Sequence, residues 1–384
     1  LSVDQVMAKS SNIGMALLPT AAWETTYALW FGLHLEAAQC QYLNGDLAAA
    51  EQTLADLLAH SSTRLDKLLV YRVMVDMYTA RVLYQRVTET VGAALKLFGI
   101  AMPTRPVETK ARIMAGIAEI KYRMRNLSPD DIGSLPRCTD TDHIKLAEIL
   151  LEAGPAAYQS NQDLFAWMVL FEVRYALRLG NTPSSALGYT GYGMIMNAAF
   201  GDVDTAYAFA QMGQRLNERF GNPFPFHKLK FVELHFVTHF KEEVAKDVEQ
   251  FPHLYRLALA SGDLVYAAFY QYDLICYKAA LGQYLGEVCD EGLGYLQQMA
   301  QLKNINGYDL LLSRFQSFLA LQDRPMLPWV LGQPEATVEA RAARYVSERS
   351  FSQLANLYLT LCQIGYLLDG NPDLEKHLLE GARY

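Results

Sequence analysis

Gly45-Asp46-Leu47-Ala48-Ala49-Ala50, Gly201-Asp202-Val203-Asp204-Thr205-Ala206 and Gly262-Asp263-Leu264-Val265-Tyr266-Ala267 are three copies of one phrase, Gly-Asp-apolar-x-x-Ala. Each copy follows a long apolar-periodic stretch and opens another. The phrase has the chemistry of a helical-hairpin turn. Glycine takes the left-handed conformation that ends one helix, and aspartate caps the first amides of the next. The small Ala50, Ala206 or Ala267 then lets the second helix lie close against the first. Repeated hairpins of this kind predict an all-α chain, an α-solenoid built from antiparallel helical pairs, a fold used for binding more often than for chemistry.

Working outward, helical periodicity runs from Ala21 to Leu321. It predicts helices over 23–43 and to about 60, then 67–84, 87–98, 107–126 and 142–153, with a polar loop over 128–142. The helix over 164–179 stops at Gly180-Asn181, and Thr182-Pro183 reads as the start of the next, which runs to about 200. Its partner fills 203–220; further helices are expected over 224–240, 242–260, 264–280, 284–302 and 308–321. Segment 231–240 is rich in Phe and Val, yet Leu229, Val232, Phe236 and Phe240 form one helical stripe, so it reads as helix rather than strand. In domain terms, 1–322 is a helical superhelix, 323–334 a proline-rich linker, and 335–384 a further hairpin that continues the superhelix and is cut short. The chain begins at Leu1 without a methionine and reads as a piece of something longer.

Composition narrows the function. The chain has 384 residues, 51% hydrophobic, with a net charge of −8 spread along it, which argues against nucleic acid as a partner. Lys110, Arg112, Lys121, Arg123 and Arg125 read as the solvated face of one helix. Five cysteines without a C-x-x-C pair fit reduced thiols and a cytoplasmic address. No apolar run approaches the roughly 18 residues of a spanning helix, so no membrane insertion is expected.

Catalytic signatures are missing: no Walker A loop, no kinase H-R-D or D-F-G, no H-E-x-x-H, no G-x-S-x-G. Two clusters stand out. Gly188-Tyr189-Thr190-Gly191-Tyr192-Gly193 resembles a phosphate-cradling loop only superficially, because no strand precedes it; it reads as a helix thinned by glycine so that a neighbour can approach. His227, His235 and His239 accompany Glu233, Glu242 and Glu243. His235 and His239 stand one turn apart, a spacing able to hold a metal, but histidines among Phe231, Phe236 and Phe240 read as core residues, so neither metal nor cofactor is expected.

Around the first copy, Ala38, Gly45, Ala50, Leu54 and Leu57 match the tetratricopeptide pattern. Leu150–Asp263 resembles the tetratricopeptide-like superhelix that follows the ATPase module in large bacterial and fungal proteins combining a serine/threonine kinase, a signal-transduction ATPase and a sensor histidine kinase. The residues carrying the likeness include Ala156-Ala157-Tyr158, Leu179-Gly180-Asn181-Thr182-Pro183, Gly188-Tyr189, Tyr192-Gly193, Gly201-Asp202 and Ser261-Gly262-Asp263-Leu264. The resemblance implies a non-catalytic regulatory arm that binds a protein segment, or a neighbouring domain of its own polypeptide, in a concave groove. The rival expectation is a sensor for a small sugar- or lipid-like effector. Its candidate residues are Tyr189, Tyr192, Phe224, Phe226 and His227, with His235 and His239 as further contacts for either ligand.

Overall fold

The structure, a computed structural model, describes residues 21–368 except 45, 222–224, 303 and 329–336, together with residues 14, 17–19 and 379. Among these residues all regular structure is helical. The sole β-pairing found among them is an isolated bridge between Arg137 and Asn181. The chain divides into two compact units, residues 1–102 with 139–155, and residues 103–138 with 156–384. The proline-rich 323–334 falls inside the second unit; 324–328 is irregular and 329–336 lies outside the described residues.

In the first unit, α1 (Ala22–Thr25) packs on α2 (Tyr27–Leu43), which pairs with α3 (Leu47–His60). Next come α4 (Arg64–Ala80) and α5 (Tyr84–Lys96), with α8 (Thr141–Glu152) laid against both. Asp46 caps α3 by accepting the Ala49 amide at 3.1 Å, while Gly45 lies outside the described residues. Ala50, Leu54, Leu57, Leu68, Val73 and Met77 are buried between the helices.

The second unit opens with α6 (Pro106–Met124) and the short α7 (Pro129–Gly133). The latter lies within the expected polar loop, because Ser128 and Asp131 form a capping box around Pro129 at the first helical position. Gly154-Pro155, the last residues of the first unit, open α9 (Gly154–Ser160), which continues into the second. There follow α10 (Gln162–Leu179), α11 (Ser185–Phe200), α12 (Val203–Arg219) and α13 (Phe226–Phe236). Then come α14 (Val244–Ala260), α15 (Leu264–Ala280), α16 (Leu285–Gln301), α17 (Ile305–Leu321), α18 (Val338–Glu348) and α19 (Phe351–Leu367).

The odd-numbered helices from α11 to α19 form one row, each packed on the next. The even-numbered helices α12, α14, α16 and α18 cover its other side, so the unit repeats helix pairs as expected. At the Gly-Asp turns Gly201 and Gly262 have φ of +65° and +74°. Asp202 accepts the Thr205 amide at 3.1 Å and Asp263 the Tyr266 amide at 3.2 Å. Ala206 and Ala267 are both buried.

The expected start of α11 at Thr182-Pro183 is displaced to Ser185. Asn181 is held elsewhere: its amide donates to the Pro136 carbonyl at 2.8 Å, and its carbonyl accepts from the Cys138 amide at 2.9 Å. Its side-chain amide donates to the Ile132 carbonyl at 2.9 Å. With Asn181 tied to this loop, the chain turns through Thr182–Ser184 before helical geometry begins.

Helix α11 is buried from Ser185 to Met196, and the glycine cluster explains how. A Cβ on Gly193 would stand 2.8 Å from the Ala206 carbonyl oxygen, and one on Gly213 would stand 2.6 Å from the Ala186 carbonyl oxygen. The two contacts are two turns apart and reciprocal, glycine against alanine from each side, as an antiparallel pair in near backbone contact requires. Toward α10, Gly191 faces Val169, and Gly188 leaves room for the Glu172 carboxylate. That carboxylate accepts from the Ser185 hydroxyl at 2.9 Å. Burial pushes Glu172 up to about 7, against the downward pull of Ser185. The cluster is a packing surface, as the absence of a preceding strand suggested.

In an exposed helix, glycine to alanine stabilises by up to about 1 kcal/mol. Gly294 in α16 has nothing within 4 Å of a would-be Cβ, so Gly294→Ala is expected to raise the urea midpoint. Gly193→Ala is expected to lower it by about 1–3 kcal/mol of stability, since overpacking against backbone outweighs the propensity gain. Equal shifts in the same direction for the two variants would contradict the close α11–α12 approach.

Candidate functional site

Helices α13 and α15 are joined at two levels. At the first, the Asp263 carboxylate that caps α15 also meets His227 Nε2 at 3.1 Å and Lys228 Nζ at 3.3 Å. Burial works to raise its pKa, but the His227 N–H and the Lys228 ammonium outweigh this and hold it below its ordinary value. The Tyr270 hydroxyl donates to the His227 carbonyl at 2.5 Å. Two turns along, His235 Nδ1 donates to the Asp273 carboxylate at 2.8 and 2.9 Å. Both joints advance in the same sense along their helices, so α13 and α15 run parallel, as neighbours within one row of a solenoid do. Between the joints, Phe231 stands edge-on to Tyr266 and Tyr270 and stacks on Phe269.

The second joint reaches solvent. Asp273 is buried, whereas the His235 side chain is 29% exposed, stacked on Phe231 at 5.1 Å and edge-on to Phe236 at 4.4 Å. Burial disfavours the imidazolium, but the Asp273 charge and hydrogen bond outweigh it and raise the ring's pKa above its ordinary value. Phe236 continues to Tyr158 of α9, ring centroids 5.4 Å apart, and Tyr158 packs on Phe165 of α10. From the far end of the row, the Ser352 hydroxyl of α19 donates to the Tyr158 carbonyl at 3.2 Å.

One residue therefore touches both α13 and α19, with α15 and α17 between them. In a straight row at about 8–10 Å per neighbour, α13 and α19 would lie on the order of 25–30 Å apart. The row must curve around Tyr158, and Phe236 lies on its concave side.

Next along the row, burial pushes the Cys276 thiol up to about 12, with Arg314 of α17 pulling the other way. A thiol so protonated is a poor nucleophile. Arg314 also hydrogen-bonds Gln363 of α19. The arrangement offers a partly exposed imidazole held by Asp273 beside aromatic rings, a polar group suited to meeting a carboxylate or a carbonyl.

The expected site residues fall in separate places. Tyr189 and Tyr192 are buried against Phe209 in the α11–α12 core, and the Tyr189 hydroxyl donates to Asn181 Oδ1 at 2.8 Å. Phe226 packs in the α13–α15 core and His227 is buried against Asp263, while Phe224 lies outside the described residues. Of the expected residues, His235 is the one paired to Asp273 and partly exposed beside Phe231 and Phe236.

The helical spacing assumed for His235 and His239 fails. Helix α13 ends at Phe236, Val237 leaves helical geometry (φ −129°, ψ −54°), and His239 sits in a 3-10 turn over Thr238–Phe240. The Thr238 hydroxyl, donating to the Glu233 carbonyl at 3.1 Å, closes the helix end. Among the described residues no group of three or more His, Cys, Asp or Glu is placed to hold a metal ion.

Asp273 and Tyr158 were missed. Asp273 carried a signal, a lone acid amid Tyr270, Leu274 and Ile275, since a carboxylate in such a helix needs a partner. Tyr158 carried none, because its role comes from contacts far along the chain.

Linkage gives a pH test. His235 is raised above its unfolded value, so the pair's contribution to stability is complete below about 6.5 and is lost as pH rises through the folded pKa. Asp273→Asn leaves burial unopposed, and the His235 ring is expected to titrate below 6.5 in NMR spectra, having titrated above it in the parent. An unchanged midpoint would contradict the pairing.

No protein-family model, curated protein or solved structure matches the chain.

Proposed function

We propose that the chain is a non-catalytic interaction arm, and that the concave side of its second unit binds a protein segment or a neighbouring domain of a longer signalling polypeptide. The observation that carries this reading is the His235–Asp273 pair, hydrogen-bonded and partly exposed beside Phe231 and Phe236 in a curved row of helices. An extended or helical segment lying along that row would meet the His235 ring first, then Arg314 and Gln363 further on. Binding would act through conformation: a ligand that prefers one docked state of the arm shifts the equilibrium by its difference in affinity for the two states.

The tetratricopeptide-like resemblance supports a parent carrying kinase, ATPase and sensor histidine kinase domains, with the arm cytoplasmic. No helix of the described residues is long and apolar enough to cross a membrane. The small-effector reading has less support, because Tyr189 and Tyr192, two of its five residues, are buried and already engaged.

A photo-crosslinking amino acid at position 239 in the parent polypeptide tests the reading. Crosslinks are expected to a segment outside residues 156–368, and to fall when His235→Ala or Arg314→Ala is added. Crosslinks confined to the row's own helices would contradict it. So would micromolar ATP binding by this chain in calorimetry, since the reading assigns nucleotide chemistry to other domains.

A further inference from the structure

Helix α6 carries two apolar faces, and one is turned to solvent. Gly116, Ile117 and Ile120 are buried, with Gly116 against Leu170 of α10. On the opposite side Val107, Met114 and Tyr122 are 82%, 58% and 66% exposed, and Ala111, Ala115 and Ala118 lie exposed among them. At 100° per residue these six side chains fall within an arc of about 100°, the width of the stripe one helix presents to another.

The rims of the stripe are basic. Lys110 and Lys121 border one edge, with Lys121 over the Phe200 ring at 4.9 Å and Lys110 4.0 Å from Asp163. Arg125 closes the C-terminal end, over the Tyr122 ring at 4.1 Å. On the other edge a single carboxylate, Glu119, is shared by three guanidiniums: Arg123 at 2.9 Å, Arg174 at 2.6 Å and Arg178 at 2.5 Å. That cluster keeps two positive charges in excess. Glu108, the other acid on this edge, is paired with Arg112 at 2.7 Å. A chain of net charge −8 thus gathers positive charge around its α6 stripe.

The stripe's side chains point to a helix as the occupant. Ala111, Ala115 and Ala118 form a shallow channel that lets a second backbone come close, with Met114 a knob on one border and Tyr122 a stop at its C-terminal end. Three alanines offer a lipid bilayer little apolar volume, and no Trp, Phe or Leu projects from the stripe. We propose that the outer face of α6 docks one acidic amphipathic helix of a partner protein. It would lie lengthwise along the alanine channel with its carboxylates on the lysine and arginine rims.

Three fluorescent helical peptides of about 18 residues, long enough to span the stripe, test this by anisotropy. They share a Leu/Ala stripe and carry Glu, Gln or Lys on the flanks. The Glu peptide is expected to bind about tenfold tighter than the Gln peptide, with the preference shrinking at high salt. The Lys peptide is expected not to bind. Met114→Glu, an exposed change checked for fold by circular dichroism, should abolish binding. Lys121→Glu combined with Arg125→Glu should remove the preference for Glu flanks.

Equal binding of the three peptides, binding indifferent to Met114→Glu, or no saturable binding would overturn the proposal. Saturable binding of phosphatidylserine vesicles without peptide binding would make the face a membrane contact and overturn it as well. A dimer in sedimentation equilibrium that Met114→Glu dissolves would assign the face to a second copy, which also overturns the proposal. None of these outcomes bears on the concave side of the row, which position 239 reports.

Discussion

The near-contact of α11 with α12 is the constraint on which the second unit depends. Gly193 against the Ala206 backbone and Gly213 against the Ala186 backbone leave no space for a side chain at either crossing. Glycines inside helices each cost roughly 1 kcal/mol relative to alanine, so the sequence accepts weak local propensity for tight packing. Glu172 is a second cost accepted at the same place. Its carboxyl is buried with one oxygen lacking a hydrogen-bond partner, and burial raises it to about 7. A helix enclosed on both sides gives the row a fixed starting plane, and each later pair is positioned on the one before it.

From that plane the row is set by polar joints as much as by apolar contact. Asp263 serves three purposes at once: one carboxylate caps α15, holds His227 and neutralises Lys228. Because His227–Asp263 and His235–Asp273 advance in the same sense, α13 cannot slide along α15 without breaking both. The apolar rings between them, Phe231 with Tyr266 and Tyr270, fill the space between the joints, while the joints fix the register. Tyr158 then shows the curvature, reached by Phe236 from one helix and by Ser352 from another two neighbours beyond α15.

Much of this was legible in the chain. The Gly-Asp phrases predicted turns, and Asp46, Asp202 and Asp263 cap as their position implies because capping needs only residues three positions apart. The glycine cluster was legible as a packing face for the same reason, since a helix of that composition is stable only against close neighbours. What failed was non-local. Thr182-Pro183 has the local form of a helix start, but Asn181 is bound to Pro136 and Cys138, and the chain reaches helical geometry only at Ser185. His239 looked like a helical neighbour of His235 until Thr238 folded back onto the Glu233 carbonyl. The partner of His235 lies 38 residues away, a distance across which periodicity says nothing.

Amide hydrogen exchange read by mass spectrometry tests the central claim, that stability in the second unit is built outward from the enclosed α11 by neighbour contacts. The account predicts the slowest exchange in α11 over 185–196, with protection decreasing through α13, α15 and α17 to α19. Exchange in α11 as fast as in α19, or one cooperative opening that exposes all these helices together, would contradict it.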